Sequence, residues 1–514
     1  EILPAPTGTA PEDGQSDAAI APDIAPRYYY YYMSNTELLV FDVADPAKPE
    51  VIRQYEQQGN YVATRRIGTA VYLVTSRYAY YEPEASAEQL LPSVREDGGE
   101  WTLLPPDRIG MLPNGEVNSF LVVGAIDTVD LDREADAEAV LGSGYTVYAS
   151  TNALYIVASR WVAPAVDVVK DLSDAVGDVV DGIRDAIGGS DSGTSTEPSA
   201  GSGEAVPPEE TNPDVTAETP PDEGGSGESP DGTVEEKPDE KPIEEPTGEV
   251  EPSEPFVLIE NYPPVEIYTD IYRFRLDGAS VTADGTGVVP GYILNQFSMD
   301  EQDGYFRIAT TSGESWRNDQ FTSLNHLYVL DKDLKVVGKV EGLAARETIK
   351  SVRFIGNRAY LVTFRTTDPL FVIDLEVPAE PKVLGELKIP GYSEYLHPYG
   401  ENLLMGIGKD AVAIGDNAFY LGLKLSMFDV SDPANPVELH TLIIGDRGTQ
   451  SEVTWNHKAF LVDSENGLFG MPIQYCRVPE SARQDPIAYG ELIYNGFFLF
   501  DYDASAGFKL LGSV

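Results

Sequence analysis

ETIKSVRFIGNRAYLVTFRTTDPLFVIDLEVPAEPKVLGELKIPG, residues 347–391, carries the reading of the fold. Apolar residues alternate with polar ones on either side of Gly356-Asn357. A strongly apolar run then ends at Asp374, followed by a Pro-containing turn and another apolar run. Alternation at period two, punctuated by Gly, Asn and Pro, marks short β-strands joined by tight turns. Four antiparallel strands fit the stretch.

Both halves of this pattern recur. Hairpins like its first half begin at 61, 144, 291, 391 and 451, which makes six with the one at 347. Apolar runs like its second half end at Asp42, Asp127, Asp277, Asp331, Asp374, Asp429 and Asp501. Where the copies are clearest, from 277 to 429, these aspartates stand 43 to 55 residues apart, the length of one four-stranded sheet. Each carboxylate is placed to accept from backbone N–H groups two residues on and fix the turn, with Pro holding φ in DPAKP, VPAEP and DPANP. Seven equivalent turn positions favour that structural role over catalysis or calcium binding.

A small four-stranded sheet with two apolar faces is unstable alone, whereas radial stacking buries both faces and leaves only short edges. The fold expected is all-β, a β-propeller of four-stranded antiparallel blades. Six complete units are counted, 60–143, 144–290, 291–345, 346–390, 391–445 and 449–514, preceded by a half unit at 28–59. Interruptions at 77–117, 161–265 and 465–494 fall between the halves of their units and are expected on one rim. The tyrosine run 28–32 reads as an edge strand opening the half unit.

Composition narrows the function. The 514 residues include 85 acidic against 35 basic, a formal charge of −50, which repels nucleic acid and anionic membranes alike. One cysteine, Cys476, excludes an internal disulfide framework. Residues 1–26 read as a disordered lead without the features of a signal peptide. Residues 188–255 hold twenty acidic residues against Lys237 and Lys241 and read as a disordered acidic linker rich in Pro, Gly, Ser and Glu. Between propeller parts at 27–160 and 256–514, the segment 161–187 carries apolar residues at spacings of three and four. This predicts an amphipathic helix over 163–187, lying on the fold or docking a partner. Its acidic polar face and the absence of any apolar run of 18 residues predict no transmembrane segment.

The stretches GYILNQFSMDEQDGYFRIATTSG (291–313), SVRFIGNRAYLVTFRTTDPLFVIDL (351–375), GELKIPGYSEYLHPYGENLLMGIGKD (385–410) and LKLSMFDVSDPANPVELHTLIIGDRG (423–448) resemble secreted bacterial and archaeal proteins with a C-terminal β-propeller domain, distantly similar to WD40 propellers. The resemblance covers about 27–160 and 256–514. It implies export or surface display and no established reaction.

No phosphate-binding loop, nucleophile elbow, zinc-protease motif or dinucleotide fingerprint occurs. Three groups remain as candidates. His397, flanked by Tyr395 and Tyr399 in a tight turn, has the residue types for acid–base work. Gln296, Asp300, Glu301 and Asp303 gather oxygen donors on a loop, with Ca²⁺ the cation such ligands suit. Glu452 and His457 flank the last hairpin turn. The favoured expectation is a non-catalytic secreted or cell-surface scaffold that binds extracellular protein or glycan. The alternative is a hydrolase or lyase with a funnel site near His397, cation-assisted. The alternative requires His397, Tyr399 and the carboxylates at 300 and 301 to meet at one mouth.

Overall fold

The computed structural model describes residues 34–79, 90–111, 118–162, 265–365, 368–415 and 417–514. The lead 1–26, the tyrosine run 28–32, the expected helix over 163–187 and the acidic linker lie outside them. All described residues belong to one compact unit.

Among the described residues seven sheets follow one another along the chain. The second comprises Asn60–Ile67, Ala70–Tyr78, Ser119–Asp127 and Asp136–Leu141. The third comprises Thr146–Ala149, Ala153–Val162, Glu266–Asp277 and Ser280–Pro290; the fourth, Met299–Gln302, Tyr305–Ser312, Leu324–Leu330 and Val336–Leu343. The fifth runs from Thr348–Ile355 to Lys382–Ile389, the sixth from Tyr392–Tyr399 to Val437–Ile444, and the seventh from Gln450–Ser451 to Gly507–Ser513. Ala153–Val162 pairs along its whole length with Glu266–Asp277, so one sheet spans the interruption at 163–264.

The half unit is not left as a half. Its strands Asn35–Asp42 and Glu50–Gln58 are extended by Ser93–Glu96 and Thr102–Leu103, drawn from within the interruption at 77–117. That segment was expected as a rim loop. Instead it covers a free strand edge, where unpaired N–H and C=O groups invite pairing. Two ion pairs fasten it, Arg53 to Glu96 at 2.6 Å and Arg95 to Glu56 at 2.7 Å. A further piece, Ile109–Met111, pairs in parallel with Asp136–Leu141. The interruptions at 77–117 and 161–265 share one topological position, between the second and third strands of their sheets, whereas 465–494, expected as a third such loop, contains the second strand Leu468–Arg477 of the seventh sheet and the start of its third, Glu491–Asp503.

Second and third strands are buried on both faces, as Ser119–Asp127 shows, and read as continuous apolar runs. Outer strands such as Val437–Ile444 alternate between exposed and half-buried residues. Apolar clusters fill the seams between successive sheets, for example Tyr155, Phe306 and Ile308 between the third and fourth. Tyr155 and Phe306 stack with centroids 4.1 Å apart. Each such side chain fully removed from water contributes about 1.5–3 kcal/mol. Among the described residues no cluster joins the first sheet to the last, and Leu39, Phe41, Leu492 and Ile493 are exposed there.

The turn role of the aspartates holds at five of seven positions. Asp42, Asp127, Asp331, Asp374 and Asp429 each accept from the backbone N–H two residues on, at 2.8 to 3.1 Å. In the last sheet Asp503, not Asp501, does this, accepting from Ser505 N at 2.9 Å. Asp277 pairs directly with Ser280 across a two-residue turn, where Gly278 at φ +56° makes the reversal.

Candidate functional site

The first strand of each sheet from the second onward is hydrogen-bonded on one side only, and side chains from these strands or the turns beside them meet those of other sheets at a common centre, the axis of the propeller. In the fourth sheet this strand is preceded by a 3-10 turn, Gln296–Ser298. Asn295 caps the turn by accepting from Phe297 N at 2.9 Å. In the seventh sheet the turns Glu452–Thr454 and His457–Ala459 follow the first strand, Gln450–Ser451, and precede Leu461–Asp463, which pairs with the same second strand.

These elements bring groups from six sheets together. Arg65 Nη2 donates to Gln296 Oε1 at 3.0 Å and to Val147 O at 2.8 Å. Gln296 Nε2 lies 3.5 Å from His457 Nδ1. The Phe297 ring meets His457 edge-on at 4.9 Å and Tyr395 at 5.6 Å, and the Arg353 guanidinium lies 5.0 Å from its centroid. Tyr395 Oη and His397 Nδ1 are 2.9 Å apart, and Phe460 packs against the His397 ring at 5.0 Å.

Register explains the convergence. Arg65 pairs with Tyr72, Asp300 with Arg307, Arg353 with Tyr360 and His397 with Met405, each two rungs from the end of its hairpin. The four side chains therefore occupy one equivalent position around the axis. In three of these strands a bulge, at Val62, Lys350 and Glu394, interrupts the pairing three residues earlier. Such bulges bend an edge strand and re-aim the side chains beyond them.

The electrostatics are lopsided. Asp300 is ion-paired with Arg307, itself nearly buried. Among the described residues neither Arg65 nor Arg353 has a carboxylate partner. Burial, with Arg353 adding to it, pushes the His397 imidazole down to about 4. Burial and then Lys458, Arg353 and Arg65 lower His457. At neutral pH the imidazoles are uncharged, so the two guanidiniums set a positive local field in a chain of net charge −50. Arg65, Val147, Tyr148, Gln296, Phe297 and Arg353 are among the residues lining a cleft of about 290 Å³.

The expected groupings are partly redrawn. Tyr395 and His397 meet, but Tyr399 packs instead against Tyr502, its ring T-shaped at 5.5 Å. Asp300 and Glu301 lie at the seam of the third and fourth sheets, where Tyr148 Oη is 3.4 Å from Asp300 and Ser150 Oγ donates to Glu301 at 2.7 Å. His397 packs against Phe460 at the seam of the sixth and seventh, while Asp300 lines the cleft that also holds Arg65 and Arg353. Asp303 occupies a hairpin turn at φ +53°. Glu452 accepts from Asn456 at 2.6 Å rather than facing His457. Among the described residues no three His, Cys, Asp or Glu side chains close on a common point as metal ligands would. Gln296 and His457 do join, with each other. Arg65 and Arg353 escaped the sequence reading, although each stands three residues before a hairpin glycine, Gly68 and Gly356, as His397 stands before Gly400.

An uncharacterised protein of Methanocaldococcus jannaschii is 47% identical over 211 residues, 40% of this chain and 30% of the relative. One of Archaeoglobus fulgidus is 45% identical over 204 residues, 40% of this chain and 29% of the relative. The chain thus spans about 30% of the length of these relatives. Among solved structures, a europium-containing methanol dehydrogenase aligns over 49% of this chain and 70% of its own, with 9% identity. Its TM-score is 0.25, too low for any argument. The model of the family described as Beta propeller domain matches residues 10–514, and the chain belongs to that family.

Proposed function

We propose that the chain is a secreted or cell-surface, non-catalytic binding module that seats an extracellular protein or glycan on its axial face. The observation that carries this is the meeting of Arg65, Gln296, Phe297, Asp300 and Arg353 at one cleft, with His457 against Gln296 and Phe297 beside it and polar groups and ring faces mixed as in ligand sites. The acidic surface supports an exported location. The resemblance carried by the hairpin sequences supports it also. Acid–base chemistry at His397 is less favoured: burial pushes the imidazole down to about 4, below the range suited to proton exchange near neutral pH, and Asp300 is engaged by Arg307.

The test is an array of peptides and oligosaccharides probed with the full chain and with Phe297→Ala. The proposal expects ligands retained by the wild type, released unaltered, and lost by the variant at unchanged melting temperature. Ligands bound equally by both proteins, or recovered cleaved, would overturn it.

A further inference from the structure

We infer that the axial cleft takes the carboxylate of an acidic sugar, a uronate, between Arg65 and Arg353. This rests on the reading of the axial face as a binding surface and adds the chemistry of what it binds.

Three observations converge. The first is charge. In a chain where acidic residues outnumber basic ones 85 to 35, many buried or half-buried arginines have found a carboxylate, although Arg346, Arg358 and Arg447 have none among the described residues. Arg53, Arg108, Arg160, Arg273 and Arg307 all have one. Arg65 and Arg353 line one cleft and have none among the described residues. A half-buried guanidinium without a counter-ion is an unfulfilled partner for an anion, and its planar fork matches a carboxylate.

The second is what already surrounds these cations. Arg65 donates only to neutral acceptors, Thr64 O, Val147 O and Gln296 Oε1. Arg353 rests on the Phe297 ring, a contact that leaves its N–H groups free to take an acceptor. The nearest carboxylate lining the cleft, Asp300, is held by Arg307 on the far side of its strand. The chain's own acids therefore leave the cleft electropositive.

The third is shape. A cleft of about 290 Å³ accommodates one pyranose ring rather than an extended peptide, and Tyr148, Phe297 and Phe354 give it aromatic walls. Rings beside a charged fork suit a sugar carrying one carboxylate, with Gln296 as a further polar contact.

The chain has four histidines, and they divide into probes and controls. His397 and His457 both pack against Tyr395, beside the cleft. His326 bonds Ser312 within the fourth sheet, and His440 on the outer strand of the sixth sheet meets Tyr502 on the third strand of the seventh. Neutralising Arg353 and Arg65 with a bound anion raises the affinity of the axial imidazoles for protons, because those cations lower it in the free protein.

The experiment is a histidine-labelled NMR titration of the full chain with D-glucuronate, its methyl ester, inorganic phosphate and the peptide N-acetyl-Asp-amide. The inference expects glucuronate to move His397 and His457, to raise their titration midpoints, and to leave His326 and His440 unmoved. It expects weaker effects from the ester, phosphate and the peptide. Arg353→Gln should weaken glucuronate binding about tenfold or more, and Arg353→Lys should restore part of it; both are checked for unchanged melting temperature. Equal response to the ester removes the carboxylate from the inference. Equal response to phosphate or the peptide removes the sugar. Silence of both axial histidines with glucuronate overturns it outright. The broader reading of the axial face falls separately, if Phe297→Ala leaves array binding intact.

Discussion

Arg65 Nη2 and Gln296 Oε1 are 3.0 Å apart, a hydrogen bond that joins the second sheet to the fourth across the axis. The Gln296 amide is thereby oriented: its oxygen must face the guanidinium, so its N–H₂ faces His457 Nδ1, which accepts and leaves the imidazole proton on Nε2. One neutral side chain thus ties three sheets. Gln296→Leu keeps the volume and removes both bonds. The expected outcome is a lower urea midpoint, equivalent to about 1–2 kcal/mol. Gln296→Glu should instead pair with Arg65 and raise the His457 midpoint, read by NMR.

His397 gives stability a pH dependence. Its folded value of about 4 lies below the ordinary 6.5, so the unfolded chain binds the proton more readily between them. The stability linked to neutral His397 is complete above pH 6.5 and is lost as pH falls toward 4. Titrating carboxylates act in the same range, so the measure is a difference. The urea midpoint of wild type should fall more steeply from pH 7 to pH 4 than that of His397→Gln.

The last sheet separates two aspartates that look alike in sequence. Asp503 accepts from Ser505 N and Ala506 N, both at 2.9 Å, whereas Asp501 sits within a strand opposite Lys509. Asp503→Ala should lower the melting temperature more than Asp501→Ala in parallel thermal scans. Hydrogen bonds from the Ser505 hydroxyl and from those amides hold the Asp503 carboxyl below its usual range, so the turn should also loosen on acidification.

Gly124 faces the Tyr55 phenol, which is fully buried and donates to Gln57 Oε1 at 3.0 Å. Gln57 in turn donates to Thr75 Oγ1 at 2.8 Å and Val122 O at 3.1 Å, locking the first sheet onto the second. A methyl group at position 124 collides with the phenol. Gly124→Ala should cost about 1–3 kcal/mol in urea unfolding, as overpacking does.

The blades were legible because period-two alternation and Asp-led turns repeat, and each repeat has the length of four strands. The pieces that complete the first sheet were not. SVRE at 93–96 and TL at 102–103 are too short for a periodic signal, and they pair only because the edge at Tyr55–Gln57 is open. The site was half legible. His397 stood out because imidazole is rare in this chain, and Gln296 and His457 were both candidates, though for different partners. Arg65 and Arg353 did not stand out, since an arginine in a strand ordinarily marks a solvent face. Only their shared register with His397, set by the bulges and the hairpin glycines, places them at the axis.

Strands distant in sequence deliver their side chains to one point at the axis, and every reading of the cleft depends on that meeting. Cross-linking with a short bis-maleimide tests it, in a Cys476→Ser background carrying Gln296→Cys and His457→Cys. Efficient intramolecular cross-linking of these positions is expected, and none when His326→Cys replaces His457→Cys. Equal yields from both pairs, or cross-links only between molecules, would be incompatible with a shared axial cleft.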